Sequence, residues 1–82
     1  MVAVTLYGAL GCHLCEVARD RLIGLRDELG YTLDQVDITG DPDLEARYRE
    51  WLPVVEIDGE RAFVYTVDEE GFRRRLARAS AG

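Results

Sequence analysis

The chain of 82 residues contains no lysine and no asparagine, and all ten of its basic residues are arginines. Its 16 acidic residues outnumber them, and the formal net charge is −6. Nucleic acids and anionic membrane surfaces attract proteins through a basic face, so this balance argues against both as main partners. The absence of lysine also departs from the Lys- and Glu-rich composition of hyperthermophiles.

A long hydrophobic run is missing too, because no segment approaches the ~20 apolar residues of a membrane-spanning helix. The apolar stretch from Met1 to Leu10 has no basic residue before it and ends at Gly11, unlike a secretory signal. No repeat or linker divides the chain, and its length suits one domain, residues 1–82. We therefore expect a monomeric cytoplasmic domain.

The first half of the chain predicts a strand, a helix and a second strand. Met1–Tyr7 and Tyr31–Ile38 are rich in β-forming residues. Between them, apolar residues recur every three or four positions from Cys12 to Leu29, and Gly30 follows as a helix terminator. A strand, a crossover helix and a strand form a parallel pair with a right-handed connection.

The second half adds a short helix, a hairpin and a last helix. Asp41 can cap a helix with Pro42 in its first position, and that helix must end before Pro53. Asp58-Gly59 predicts a type I′ turn between strands Val54–Ile57 and Ala62–Tyr65, and a helix follows over about 68–78. The order β-α-β-α-β-β-α predicts an α/β fold with a four-stranded mixed sheet and helices on both faces.

The motif Cys12-His13-Leu14-Cys15 lies where the first helix should begin. A helix N-terminus stabilises a thiolate, which is the form of cysteine that attacks disulfides. The spacing brings Cys15 close to Cys12, one helical turn further on. We predict that Cys12 is the nucleophile and that Cys15 resolves the mixed disulfide formed on Cys12.

Other interpretations of these residues stay open at this point. The cysteines could be two small core residues or a stable local disulfide. They could also bind a soft metal, although two cysteines and one histidine fall short of the four ligands of a closed zinc site. His13 is either an exposed residue or an imidazole that stabilises the thiolate.

The whole pattern resembles the thioredoxin fold, in its short glutaredoxin form. The segments that carry the resemblance are Gly11-Cys12-His13-Leu14-Cys15-Glu16, Val36-Asp37-Ile38 with Asp41-Pro42, Leu52-Pro53-Val54-Val55, and Asp58-Gly59. They span nearly the whole chain and are similar to the small bacterial glutaredoxin-like proteins. The resemblance implies a thiol–disulfide oxidoreductase with Cys12 as nucleophile and Cys15 as resolving thiol.

The resemblance also implies substrate-binding positions beyond the motif. Pro53 matches a cis-proline that faces the active site, and the backbone of Leu52 would then pair with a bound peptide or glutathione. Asp68 matches an acidic residue that holds the glutathione amine. Trp51 precedes this segment, and we expect it to pack in the core or at a helix end rather than to face the substrate.

The implied partners are disulfide-bearing proteins or glutathione as a co-substrate, with no resident cofactor. The chain lacks the basic residue that typical glutaredoxins carry before the motif, and it lacks their Gly-Gly turn before the last helix. The electron donor is therefore open between glutathione and a reductase or other dithiol. The main alternative is a metal-handling module, through an iron–sulfur dimer or soft-metal binding at Cys12 and Cys15.

Overall fold

A computed structural model describes residues 1–81 and contains the predicted order of elements. The strands are β1 (Ala3–Gly8), β2 (Thr32–Asp37), β3 (Val54–Ile57) and β4 (Glu60–Val64). The helices are α1 (His13–Leu29), α2 (Pro42–Tyr48) and α3 (Glu69–Ala81), and a 3₁₀ turn at Arg49–Trp51 follows α2. The α/β fold class is confirmed.

The four strands form one mixed sheet in the order β2-β1-β3-β4. Strand β1 runs parallel to β2 and antiparallel to β3, and β3 forms an antiparallel hairpin with β4. Both residues of the hairpin turn have positive φ, 51° at Asp58 and 83° at Gly59. Type I′ turns require this, so the predicted turn is confirmed.

Some predicted boundaries were wrong. Strand β4 was expected over Ala62–Tyr65, but it begins at Glu60, because a two-residue turn lets pairing start at once with Ile57 opposite Glu60. Tyr65 leaves the strand with a left-handed φ of 68°. Helix α3 begins one residue later than expected, and among the described residues it continues to Ala81.

The predicted caps position the helices. The Asp41 carboxylate accepts hydrogen bonds from the backbone N–H groups of Asp43 (3.1 Å) and Leu44 (3.2 Å), which fixes the start of α2. Gly30 ends α1 with a φ of 72°, and its N–H donates to the Arg26 carbonyl at 2.8 Å. Glycine adopts this left-handed conformation without strain.

The larger core lies on the sheet face covered by α1 and α3. Phe72 at its centre is fully buried and packs edge-on against Tyr31, with ring centroids 5.4 Å apart. The Tyr31 hydroxyl donates to the Leu22 carbonyl, which satisfies its polar end. The buried members of this cluster are Val2, Val4, Leu6, Ala18, Leu22, Leu25, Tyr31, Val55, Ile57, Val67, Phe72 and Leu76.

A smaller core lies on the opposite face, under α2. Its buried members are Ile38, Tyr48 and Val54. Tyr7 stacks on Tyr48 with ring centroids 4.1 Å apart, and their hydroxyls donate to the two oxygens of Glu56, at 3.4 and 3.3 Å. Helices therefore cover both faces of the sheet, as predicted.

Between residues 1 and 81, no helix combines the length and the apolar composition that crossing a membrane demands.

Tyr7 and Tyr31 carry the clearest electrostatic consequence of this packing. Burial raises the pKa of Tyr7 to about 12, with further contributions from Tyr48 and the negative charge of Glu56. Burial likewise raises the pKa of Tyr31 to about 12. The fold thus favours the protonated form of both phenols.

We predict that two phenols ionise late, near pH 12, in an ultraviolet titration of the folded protein. A phenol has an ordinary pKa of about 10. The stability that these groups contribute is therefore complete below pH ~10 and is lost as the pH rises through the folded-state value. Tyr7→Phe and Tyr31→Phe should each remove one phenol from the late phase. The prediction fails if the folded and urea-unfolded proteins give the same titration curve.

Candidate active site

The cysteine motif lies at the end of central strand β1, where the chain turns into α1. The loop between them contains Gly11 at a φ of 76°, and the Cys12 N–H donates to the Ala9 carbonyl at 3.3 Å. Cys12 is the N-cap of α1, with extended backbone, and its carbonyl accepts the first helical hydrogen bond from Glu16. Strand and helix together fix the position of this sulfur.

Hydrogen bonds connect the loop between β1 and α1, which leads to the cysteine motif, to the loop that follows β2. The Leu10 N–H donates to the Thr39 hydroxyl at 3.1 Å, and the Thr39 N–H donates to the Asp37 carboxylate at 2.9 Å. The second bond holds the pKa of Asp37 below its ordinary value. The loop that carries Cys12 is therefore tied to the end of β2.

The two cysteines form a disulfide, with their Cα atoms 5.2 Å apart. The Cys15 N–H also points at the Cys12 sulfur, at 3.2 Å. Cys15 is only 6% exposed, whereas Cys12 is partly exposed. Of the two cysteines, Cys12 is therefore the one more open to a partner molecule.

Gly8, the last residue of β1, also belongs to the site, although it was not among the predicted site residues. A Cβ atom at Gly8 would lie 3.2 Å from the Cβ of Cys15 and 3.5 Å from its sulfur. The inner cysteine thus packs directly against the bare backbone of β1. A glycine at the end of the strand before the motif was the sequence signal for this close approach.

The Leu52–Pro53 segment enters the sheet beside β1. Its peptide bond is cis, as the resemblance implied. Pro53 is fully buried, and Leu52 has extended backbone with φ −62° and ψ 143°. The Pro53 carbonyl accepts a hydrogen bond from the Tyr65 N–H at 2.9 Å. This bond joins the proline loop to the segment between β4 and α3.

The remaining predicted site residues lie near helix starts. His13 is almost fully exposed, and its Nδ1 lies 3.9 Å from a carboxylate oxygen of Glu16. Asp68 is exposed, and its carboxylate accepts a hydrogen bond from the Gly71 N–H at 2.9 Å at the start of α3. One oxygen of Asp68 therefore serves the helix, and its expected contact with glutathione stays a prediction.

A groove between α1 and the segment after β4 begins close to the motif. It has a volume of about 140 Å³ and is lined by Leu14, Val17, Ala18, Arg21, Tyr65, Thr66 and Val67. Trp51 borders this region with its ring centroid 6.2 Å from that of Tyr65. Trp51 is the last residue of the 3₁₀ turn and is 41% exposed, so of its two expected positions it takes the helix end and not the core.

The alternative of a metal site requires several ligating side chains close together. Within residues 1–81, no group of three or more His, Cys, Asp or Glu side chains is arranged to hold a metal ion. A closed zinc site needs four ligands. A centre shared between two chains stays a prediction.

The sequence is similar to a known protein family over most of its length. The sequence profile of the glutaredoxin-like domain (DUF836) matches residues 3–77. An uncharacterized protein of Mycobacterium tuberculosis H37Rv, Rv0508, is 34% identical over 84 aligned positions, which cover 96% of this chain and 87% of that protein. The chain belongs to the glutaredoxin-like family.

Solved structures show the same architecture. Protein Ne2328 of Nitrosomonas europaea, solved by NMR, has a TM-score of 0.77 and 26% identity, covering 92% of this chain and 91% of that one. Chloroplastic thioredoxin z has a TM-score of 0.81 at 17% identity and covers 100% of this chain and 80% of its own. The fold is therefore thioredoxin-like, as predicted.

The contact between Gly8 and Cys15 yields a stability prediction. Gly8→Ala should lower the free energy of unfolding by about 1–3 kcal/mol, because the added methyl group overpacks against Cys15. Gly24 is the matched control, since a Cβ there meets nothing within 4 Å on the exposed side of α1. Gly24→Ala should instead add about 0.5–1 kcal/mol. Urea unfolding of the reduced proteins measures both, and equal effects would contradict the packing argument.

Asp68 caps α3, and it is also expected to bind the glutathione amine. Removing its negative charge while keeping a capping side chain separates these two roles. Asn caps helices about as well as Asp, so Asp68→Asn should leave stability nearly unchanged, whereas Asp68→Ala should cost about 0.5–2 kcal/mol. Thermal unfolding measures this difference. If Asp68 also holds an ammonium group, Asp68→Asn should slow the reduction of a glutathione mixed disulfide at unchanged stability. Equal stability of the Asn and Ala variants would refute the capping role.

Proposed function

We propose that the protein is a thiol–disulfide oxidoreductase that reduces protein disulfides or glutathione mixed disulfides. The observation that carries the proposal is the arrangement of Cys12 and Cys15 at the start of α1. Cys12 is partly exposed and its sulfur accepts the Cys15 N–H, whereas Cys15 is buried. This difference in exposure supports Cys12 as the sulfur that attacks and Cys15 as the sulfur that resolves.

The reaction takes two exchanges. The Cys12 thiolate attacks one sulfur of the substrate disulfide, forms a mixed disulfide, and releases the other substrate sulfur as a thiolate. Cys15 then loses its proton to water and attacks the Cys12 sulfur. The second substrate thiolate leaves, and the Cys12–Cys15 disulfide remains. The substrate gains two electrons, and the cysteine pair loses them.

The start of α1 lowers the barrier to the first exchange. Unpaired N–H groups and the positive end of the helix dipole stabilise negative charge on the Cys12 sulfur. His13 lies beside this sulfur in sequence and adds positive charge when it is protonated. Glu16 opposes that effect, because its carboxylate lies 3.9 Å from the imidazole.

The oxidised protein needs a donor of two electrons. Two molecules of glutathione, a reductase or another dithiol can each return the pair to its reduced state by the same exchange chemistry. The location that we propose is the cytoplasm, where such donors keep thiols reduced.

We predict that Cys12→Ser abolishes disulfide reduction, because no thiolate is left to start the first exchange. Cys15→Ser should instead stop after that exchange and accumulate a covalent mixed disulfide on Cys12. Turnover of an insulin disulfide and of a glutathione mixed disulfide, with intact-mass analysis, measures both effects. Ile23→Ala, an exposed position on α1, is the control variant and should keep the wild-type rate.

Equilibration in glutathione redox buffers, followed by alkylation and mass analysis, provides the decisive test. We expect a reversible two-electron couple within about −200 to −270 mV, the range of glutaredoxins and thioredoxin. Loss of activity in Cys15→Ser without a trapped mixed disulfide would overturn the assigned roles. The absence of a reversible couple, together with a retained metal or a brown colour after anaerobic purification, would favour the metal-handling alternative.

A further inference from the structure

Tyr65 has an unusual backbone conformation. Its φ is 68°, in the left-handed region that a bulky side chain disfavours. The surrounding structure holds it there, because the Tyr65 N–H donates to the carbonyls of Pro53 (2.9 Å) and Trp51 (3.4 Å). Its hydroxyl donates to the Glu50 carbonyl at 3.2 Å. Strained residues that are held in this way concentrate at binding and active sites.

In this conformation Tyr65 is 46% exposed, and it lines one side of the groove described above. Leu14 and Val17 form the opposite wall and are also exposed. On its other side, the Tyr65 ring lies near Trp51, and the Arg61 guanidinium lies 5.8 Å from the centre of the indole. Leu14 is two residues from Cys12, so the groove begins within one helical turn of the nucleophile.

The charges along this groove do not suit glutathione, which carries two carboxylates and one ammonium group. Arg21 is the charged residue of the lining, and it already donates to the Val67 carbonyl at 2.5 Å. Asp68, at the groove's end, is partly committed to the Gly71 N–H. The walls themselves are aliphatic and aromatic, so they complement an uncharged apolar side chain.

We propose that Tyr65 and Trp51 are specificity-determining residues that favour protein disulfides with a large apolar side chain next to the reacting cysteine. This inference rests on the proposed function and narrows its substrate class. The apolar side chain enters the groove between Tyr65 and Leu14. The adjacent substrate sulfur then lies towards Cys12, and the extended backbone of Leu52 is available to the same segment.

Two synthetic peptide disulfides test this inference. Each is a disulfide-linked dimer of one heptapeptide, with either leucine or serine next to the cysteine and otherwise identical. The second-order rate constant for oxidation of the reduced protein is measured by acid quench and mass analysis. We expect the wild-type protein to react about tenfold faster with the leucine peptide, the scale set by burying one aliphatic side chain.

Tyr65→Gly removes the wall without threatening the fold, because glycine adopts a φ of 68° without strain. We expect the leucine-to-serine rate ratio to fall to about two or less. Tyr65→Phe keeps the ring and should retain most of the ratio, and Trp51→Ala should lower it. Ile23→Ala, an exposed aliphatic residue outside the groove, should leave the ratio at the wild-type value.

A ratio near one in the wild-type protein would overturn the inference while the proposed function stands, and so would an unchanged ratio in Tyr65→Gly. If the wild-type protein reduces neither peptide, the proposed function fails. The inference is then decided by binding of the leucine peptide with serine in place of cysteine, followed through the fluorescence of Trp51. Saturable binding that Tyr65→Gly weakens at least fivefold supports it, and no binding overturns it.

Discussion

The start of α1 is the constraint on which the rest of the site depends. The sulfur of Cys12 takes the place that an oxygen occupies in an ordinary N-cap, and it accepts the Cys15 N–H. The sulfur thus caps the first turn of the helix, and in the proposed reaction the same helix end stabilises the negative charge of the Cys12 thiolate. Because α1 also packs along the central strands through Ala18, Leu22 and Leu25, the core fixes the orientation of that first turn. The cap of α1 and the proposed reaction thus depend on the same atom, the Cys12 sulfur.

Each face of the sheet supports a different part of the site. The larger core lies between the sheet, α1 and α3, and fixes the helix that begins at the cysteine motif. The smaller core under α2 packs against Ala9, in the loop before the motif, and against Leu52, which precedes Pro53. Strands β1 and β3 are neighbours at the centre of the sheet, with Tyr7 opposite Val54. The end of β1 leads to Cys12, and Pro53 immediately precedes β3. Because the two strands are antiparallel and paired in this register, the motif and the proline loop lie at the same end of the sheet.

Much of this arrangement was predictable from sequence, because local sequence patterns determine it. Apolar spacing located α1, Asp41-Pro42 located α2, and Asp58-Gly59 located the hairpin. A glycine at the end of β1 was the only sign of the contact between Gly8 and Cys15. The exposure of Trp51 had no such sign, since it depends on how distant segments pack. Tyr65 was assigned to a strand because tyrosine favours strands, but its hydrogen bonds to Pro53 and Glu50 override that propensity. The sequence thus indicated the position of the cysteine motif, and the tertiary contacts determine which residues surround it.

The position of β2 at the edge of the sheet has a consequence for association. Its outer backbone groups have no strand partner in the sheet of residues 1–81, and such edges invite pairing with another chain. Asp34 and Asp37 both lie exposed on this strand. If two copies met edge to edge, these carboxylates would approach one another within an already acidic molecule. Repulsion between these carboxylates would therefore oppose the pairing of two copies through β2.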